Sequence, residues 1–428
     1  MVEPLISLTD LAVIGALDDS ALFLAAVGLV GSFLAAITWT LAQTKTSISS
    51  IVSRALGSGK ELQLKPTVSQ ALYLNLLLGL FLMLLTISIA PWIFKLYGAE
   101  GELLSASVDY YRIRALGYPL TLVAFATFGV LRGLQDTLWA MKASIAGALV
   151  NVLLDLILVH GIPGIFPAYE LEGAAWASVI AQAVLVSIAL MALYRATPYT
   201  LRWYTPTARN SAGIKEHLQL AGNFFLRTVS INVAIFLANR YATALSTEHL
   251  AAQSILMNIW LFFSFFIDGF SNAGNAMSGK MLGSRDAAGL RELSITLTQK
   301  AVRVALILAI ICALLYRPIG RLFTEDVLVQ EYFYAIFWLV LAMQPINAVA
   351  FIYDGFFKGW GEARYLRNLL FGVTAFGFVP LLFLGQWLDW KLYAIWIAFT
   401  VWMIGRGGWL LWAFRGRVAR IESSSGNS

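Results

Sequence analysis

Apolar stretches long enough to cross a bilayer as helices, about 20 residues each, recur from one end of this chain to the other. Twelve can be counted, with cores at 1–17, 22–52, 67–94, 103–131, 137–160, 172–194, 217–245, 249–281, 293–316, 328–357, 365–386 and 391–414. Of 428 residues 59% are hydrophobic and 13% charged, against roughly 45–50% and about 25% in soluble domains. A soluble globule is therefore excluded. Strand-like alternation is absent, which argues against a membrane β-barrel and leaves an all-α polytopic membrane protein. The first segment is thin, with Glu3 and Asp10 inside it, so a short helix or one cut at its cytoplasmic end is expected. No positive n-region precedes a small-residue cleavage site, so no signal peptide is expected.

The same scarcity of polar chemistry removes several function classes. Cys312 is the only cysteine, and His160, His217 and His249 fall near different segment ends, so neither a disulfide scaffold nor a zinc centre can be assembled. A net charge of +6 could attract nucleic acid. No basic tail interleaved with aromatics is present, however, and Lys and Arg in so apolar a chain orient its loops instead. Lys60 follows "LGSG" without the rest of a phosphate-binding loop, so ATP coupling is not expected.

Loops after even-numbered segments, with the C-terminus, hold eighteen Lys and Arg, among them Arg54, Lys65, Arg132, Lys280, Lys358 and Arg417. The opposite loops hold six: Lys95, Arg112, Arg114, Arg317, Arg321 and Lys391. The bias places both termini in the cytoplasm.

An internal repeat organises the chain. Leu24-Ala25-Ala26 recurs as Leu250-Ala251-Ala252 and Leu56-Gly57-Ser58 as Leu282-Gly283-Ser284, both at an offset of 226. The same shift carries Pro119 to Pro345, Gly129 to Gly355 and Gly133 to Gly359. Six segments per repeat is an even number. The halves then share one topology, as two six-helix lobes related by a pseudo-two-fold along the membrane normal, an architecture that transporters use for alternating access. The expected organisation is an N-lobe over 1–196, a cytoplasmic linker over 197–214, a C-lobe over 215–416 and a polar cytoplasmic tail over 417–428. Pro119 and Pro345 should bend their segments, and Gly269, Gly274 and Gly279 read as close-packing or bending positions. The many Trp and Tyr, Trp387, Trp390 and Trp409 among them, read as interfacial belt residues.

Ionisable residues inside membrane segments are costly, so each is a functional candidate. At about 1.5 Å per residue, Asp10, Asp155 and Ser178 fall at one depth, and Asn151 lies one turn from Asp155 on the same helix face. Two carboxylates, an amide and a hydroxyl suit a hard cation or a shared proton. Their alternative role is structural, as polar glue between helices. The repeat mates of Asp10 and Asp155 are Phe236 and Leu381, so the cluster belongs to the first half alone. A second set, Lys45, Arg227, Asp268 and Asp354, reads either as a gate closing the cytoplasmic side or as pairs that neutralise each other within the C-lobe.

The runs "EPLISLTDLAVIGAL", "SRALGSGK", "GVLRGLQDT", "NVLLD" with "LEGAAWASVIAQ", "DGFSNAGNAMSGKMLGSRDA" and "QPINAVAFIYDGFFKG" resemble the multidrug and toxic compound extrusion (MATE) family, in its DNA-damage-inducible protein F branch. The resemblance covers essentially the whole chain. It implies antiport of cationic or amphipathic compounds against inward H⁺ or Na⁺ in a bacterial inner membrane, with no other cofactor, and a monomer is expected. It also implies that Asp10 is the central proton or cation site, supported by Asn151, Asp155 and Ser178, with Na⁺ ligation at the first three as one option. Where the family usually carries a Glu this chain has Asn275. A flippase of a lipid-linked saccharide, from the same superfamily, is the alternative; an enzyme is not expected, since no catalytic constellation lies within the helices.

Overall fold

A computed structural model describes residues 13–14, 20–161, 167–200, 202 and 211–425, and its described residues are helices joined by short turns. They run α1 (Ser20–Leu41), α2 (Gln43–Gly57), a short 3₁₀ turn, α3 (Lys65–Leu96), α4 (Gly101–Ala115), α5 (Gly117–Gly133), α6 (Leu138–His160) and α7 (Glu170–Ala196). Then follow α8 (Ala212–Leu245), α9 (Thr247–Gly283), α10 (Ala287–Leu314), α11 (Tyr316–Phe323), α12 (Val327–Ala342) and α13 (Gln344–Gly359). The last three are α14 (Ala363–Val373), α15 (Val379–Trp387) and α16 (Leu392–Ser425), with a π-turn at Thr374–Phe378 joining α14 to α15.

Nine spans among the described residues are long and apolar enough to cross a membrane, and α4–α5 and α12–α13, each counted as one bent span, make eleven. These correspond to the second to twelfth apolar segments of the sequence; the first, with Asp10, lies outside the described residues apart from Val13 and Ile14. Large apolar side chains such as Phe81, Leu84, Leu153 and Phe236 stand exposed along these helices. In water such a surface would be an aggregation liability, whereas in a bilayer it meets lipid tails.

The two bends have a common origin. The helix breaks by 42° at Leu116 and by 49° at Met343, and in each case a proline follows, Pro119 and Pro345. Proline has no N–H to return to the carbonyl four residues back, and its ring clashes with that carbonyl, which frees Ala115 and Leu341 and opens the turn.

The chain divides into two compact units. The first comprises 1–52 and 59–218, the second 53–58 and 219–428. In the first unit, Phe33, Phe94 and Tyr111 pack edge to face at 5.2–6.0 Å. This unit also keeps the opening of α8, because His217 is tied to α2. Ser47 Oγ donates to the His217 carbonyl at 2.9 Å, which leaves that oxygen to accept from His217 Nδ1 at 2.8 Å. In the second unit α9, α12, α13 and α16 enclose a core built on Phe263, Phe333, Phe337, Trp396 and Trp402.

Each unit repeats one helix crossing. In the first, a Cβ on Gly129 would stand 2.7 Å from the Lys45 carbonyl oxygen, and one on Gly133 would stand 2.9 Å from that of Ser49. In the second, the same atoms on Gly355 and Gly359 would run into the carbonyls of Ser271 and Asn275. The residues correspond pairwise at the offset of 226, so the repeat read from the sequence is carried by close backbone contact, which only glycine permits here. Gly274 and Gly279 also pack closely, whereas Gly269 has nothing within 4 Å of its Cβ position. It faces open space and is exposed.

Candidate functional site

α6 brings Asn151 and Asp155 onto one face, one turn apart, and both are buried. Asn151 Nδ2 donates to Asp155 Oδ2 at 3.1 Å. α7 returns antiparallel against this face. Gly173 fits against the Leu158 backbone and Gly147 against Ala181 and Leu185, a register that sets position 178 opposite the turn between Asn151 and Asp155. Ser178 is buried there and its Oγ has no hydrogen-bond partner among the described residues, nor has Asn151 Oδ1. Asp10 lies outside the described residues.

One member of this face was not singled out in the sequence. Gln182 follows Ser178 by one turn of α7, and its Oε1 occupies the space that a Cβ on Gly117 would take, beside the α4–α5 bend. That oxygen too is buried without a partner among the described residues. The signal was available as a second polar residue at helical spacing in "ASVIAQ". Three oxygens of this face, Asn151 Oδ1, Ser178 Oγ and Gln182 Oε1, thus have no hydrogen-bond partner among the described residues. In a dry interior an acceptor without a donor costs on the order of 1–3 kcal/mol, a deficit that a proton or a small cation would remove.

The second unit holds a different kind of site. Arg227 on α8 donates from Nη2 to both oxygens of Asp354, at 2.7 and 2.8 Å. Lys358, one turn along α13, reaches Asp354 Oδ2 at 2.8 Å, and Arg406 on α16 approaches Oδ1 at 3.0 Å. Asp268 on α9 lies within electrostatic reach of all four. The sequence reading put Arg227 with Asp354, and the structure brings them together; it missed Lys358, taken for a loop charge, and Arg406. Lys45 belongs to the first unit, its Nζ 5.5 Å from the centre of the Phe125 ring.

Charge balance in this cluster is uneven, with three basic groups against two carboxylates. Taking an ion out of water costs several kcal/mol. The carbonyls at the C-terminal end of α13, beside Lys358, return about 1 kcal/mol. The aromatic faces of Phe351 and Trp402, 5.2 and 5.9 Å from the Arg406 guanidinium, return a similar amount. Among the described residues one positive charge of the cluster has no carboxylate to balance it. Among the described residues no three His, Cys, Asp or Glu side chains converge as a metal site.

The fold and these clusters can be set beside known proteins. DNA damage-inducible protein F of Escherichia coli (strain K12) is 27% identical over 94% of this chain and 86% of its own length. The probable multidrug resistance protein NorM of Synechococcus sp. is also 27% identical, over 91% of this chain and 86% of its own. A crystal structure of MATE in the bent conformation superposes with a TM-score of 0.87 at 21% identity, covering 99% of this chain and 93% of the other, and so shares the fold. The MatE family model matches residues 1–157 and 220–383. The chain is therefore a multi-pass membrane protein that belongs to the MatE family, the multidrug and toxic compound extrusion transporters.

Proposed function

We propose that this protein is a secondary antiporter that exports amphipathic small molecules in exchange for inward H⁺ or Na⁺, with the coupling ion held by Asp10, Asn151, Asp155 and Ser178. One observation carries the reading: beside the buried Asn151–Asp155 pair of α6, the Ser178 hydroxyl and the Gln182 carbonyl oxygen of α7 are buried without a hydrogen-bond partner among the described residues. An acceptor-rich, water-poor cluster is stable only when a proton or cation completes it. Arrival and departure of that ion would alter how the helices carrying it pack, which is what a coupling site must do. Because the repeat mates Phe236 and Leu381 are apolar, coupling resides in the first half. Arg227, Asp268 and Asp354 belong to a charge network within the second unit, apart from it, and Lys45 lies in the first unit. The positive-inside count further supports an inner-membrane protein with both termini cytoplasmic and residues 197–214 as the cytoplasmic linker between lobes.

The test is transport in proteoliposomes under an imposed H⁺ or Na⁺ gradient, comparing wild type with Asp10→Asn and Asp155→Asn. Each variant should lose at least tenfold in gradient-driven flux while staying folded. Flux that ignores both gradients, or that survives Asp10→Asn unchanged, refutes the coupling assignment.

A further inference from the structure

Asp354 is approached by three cations and can neutralise one of them. Arg227, Lys358 and Arg406 all lie within 3.0 Å of its carboxylate, and adding Asp268 still leaves one positive charge over. The donors are not used up. Among the described residues Arg227 Nε and Arg406 Nε make no hydrogen bond, and Arg406 Nη2 meets Asp354 out of line for one. Both guanidiniums are buried, with side-chain exposures of 5% and 3%, while Lys358 at 19% keeps the cluster in touch with its surroundings. The repeat shift of 226 maps Arg227, Asp354 and Arg406 onto Met1, Phe128 and Ile180, and only Lys358 onto another cation, Arg132. The cluster is thus no relic of the common scaffold, which would have carried it in both halves.

We infer that this cluster receives the carboxylate of a small organic anion, so that the exported amphiphile is one that bears an acid group. A planar carboxylate carries the single negative charge needed to balance the site. It also accepts the paired N–H groups that a guanidinium presents, which a spherical ion does less well. Asp354 then acts as an internal stand-in that holds the three cations together until the substrate shares them. Calling the ligand a substrate rests on the antiporter reading above; the binding itself does not.

Equilibrium binding of radiolabelled benzoate to the purified full-length protein, with no gradient present, tests the assignment. Tetraphenylphosphonium serves as the oppositely charged probe, and thermal unfolding monitors folding. Wild type should bind benzoate, Arg406→Gln at least tenfold more weakly, and Asp354→Asn at least tenfold more tightly, because the internal competitor has lost its charge. If Arg406→Gln does not fold, Asp354→Asn and Arg406→Lys decide, since the latter keeps the charge but loses the planar fork and should also weaken binding. The inference is overturned if neither wild type nor Asp354→Asn binds benzoate, or if all folded variants bind it equally. It is overturned too if tetraphenylphosphonium binds and Asp354→Asn abolishes that binding. In nanodiscs, benzoate binding that survives in phosphatidylcholine but vanishes in phosphatidylglycerol would assign the site to a lipid headgroup and sink the substrate version. A protein that binds benzoate yet shows no H⁺- or Na⁺-driven flux would fail the coupling assignment and leave this one standing.

Discussion

Replacing Gly359 by alanine should destabilise the second unit by an amount that the geometry bounds. The new Cβ would land on the Asn275 carbonyl oxygen and lie 2.7 Å from Ser278 Oγ. Neither the carbonyl nor α9 can turn aside, so α9 and α13 must part by about 1 Å. Overpacking of this kind costs about 1–3 kcal/mol, and widening by an ångström forfeits a quarter to a half of each affected dispersion contact. Gly408→Ala is the matched control, for it lies inside α16 with nothing within 4 Å of its Cβ position. Alanine there gains up to about 1 kcal/mol of helix propensity. The two variants should therefore separate by about 2–4 kcal/mol, in opposite directions from wild type. Cys312, the only cysteine, is buried in α10 of the same unit, so a fluorogenic maleimide reports its unfolding directly. The midpoints should differ by roughly 5 °C or more. Coincident curves, or a Gly359→Ala midpoint above that of wild type, would refute the close-contact account.

Other perturbations read different parts of the structure. Gln182→Leu should leave the fold intact but weaken ion-driven flux several-fold, measured as a raised half-saturating ion concentration; an unchanged ion dependence would remove Gln182 from the coupling face. Asp354→Leu strips the carboxylate that Arg227, Lys358 and Arg406 all contact and should cost about 3–5 kcal/mol, visible as loss of folded protein in detergent size-exclusion. Pro345→Ala restores an N–H for the Leu341 carbonyl and should straighten the 49° bend. Spin-label distances across α12–α13 that stay the same would assign the bend to packing instead.

Much of the architecture was legible because it depends on length and period. A run of about 20 apolar residues has one solution in a bilayer, and the prolines at 119 and 345 placed both bends to within three residues. The offset of 226 proved physical at Gly129 and Gly133, whose backbone contacts recur at Gly355 and Gly359. What stayed hidden was helix rotation. A helix apolar on every side carries no polar stripe to show which residues turn inward, so Gly269 read as a packing position and Gln182 as nothing at all. Lys358 shows the same limit at a helix end. A charge there reads alike whether it points to headgroups or, as here, back along α13 to Asp354. Arg406 stood among glycines in "IGRGGW", where a charge inside a long apolar run is signal enough. Of the proposed coupling face, Asn151 with Asp155 followed from spacing alone, while Asp10 lies outside the described residues.

The bend at Met343 also gives the second unit a lever. The arm after it, α13, is clamped to α9 at Gly355 and Gly359, so it behaves as the fixed limb. The arm before it, α12, has 16 residues and is about 24 Å long. With the carbonyl of Leu341 released by Pro345, the angle between the limbs is a soft coordinate. A change of about 10° would carry the far end of α12 some 4 Å, by the same helical rise, and Phe333 and Phe337 would slide along the core with it, while the Asp354 cluster on the clamped limb stays in register. Large displacement at one end and rigid electrostatics at the other are thereby combined in a single span.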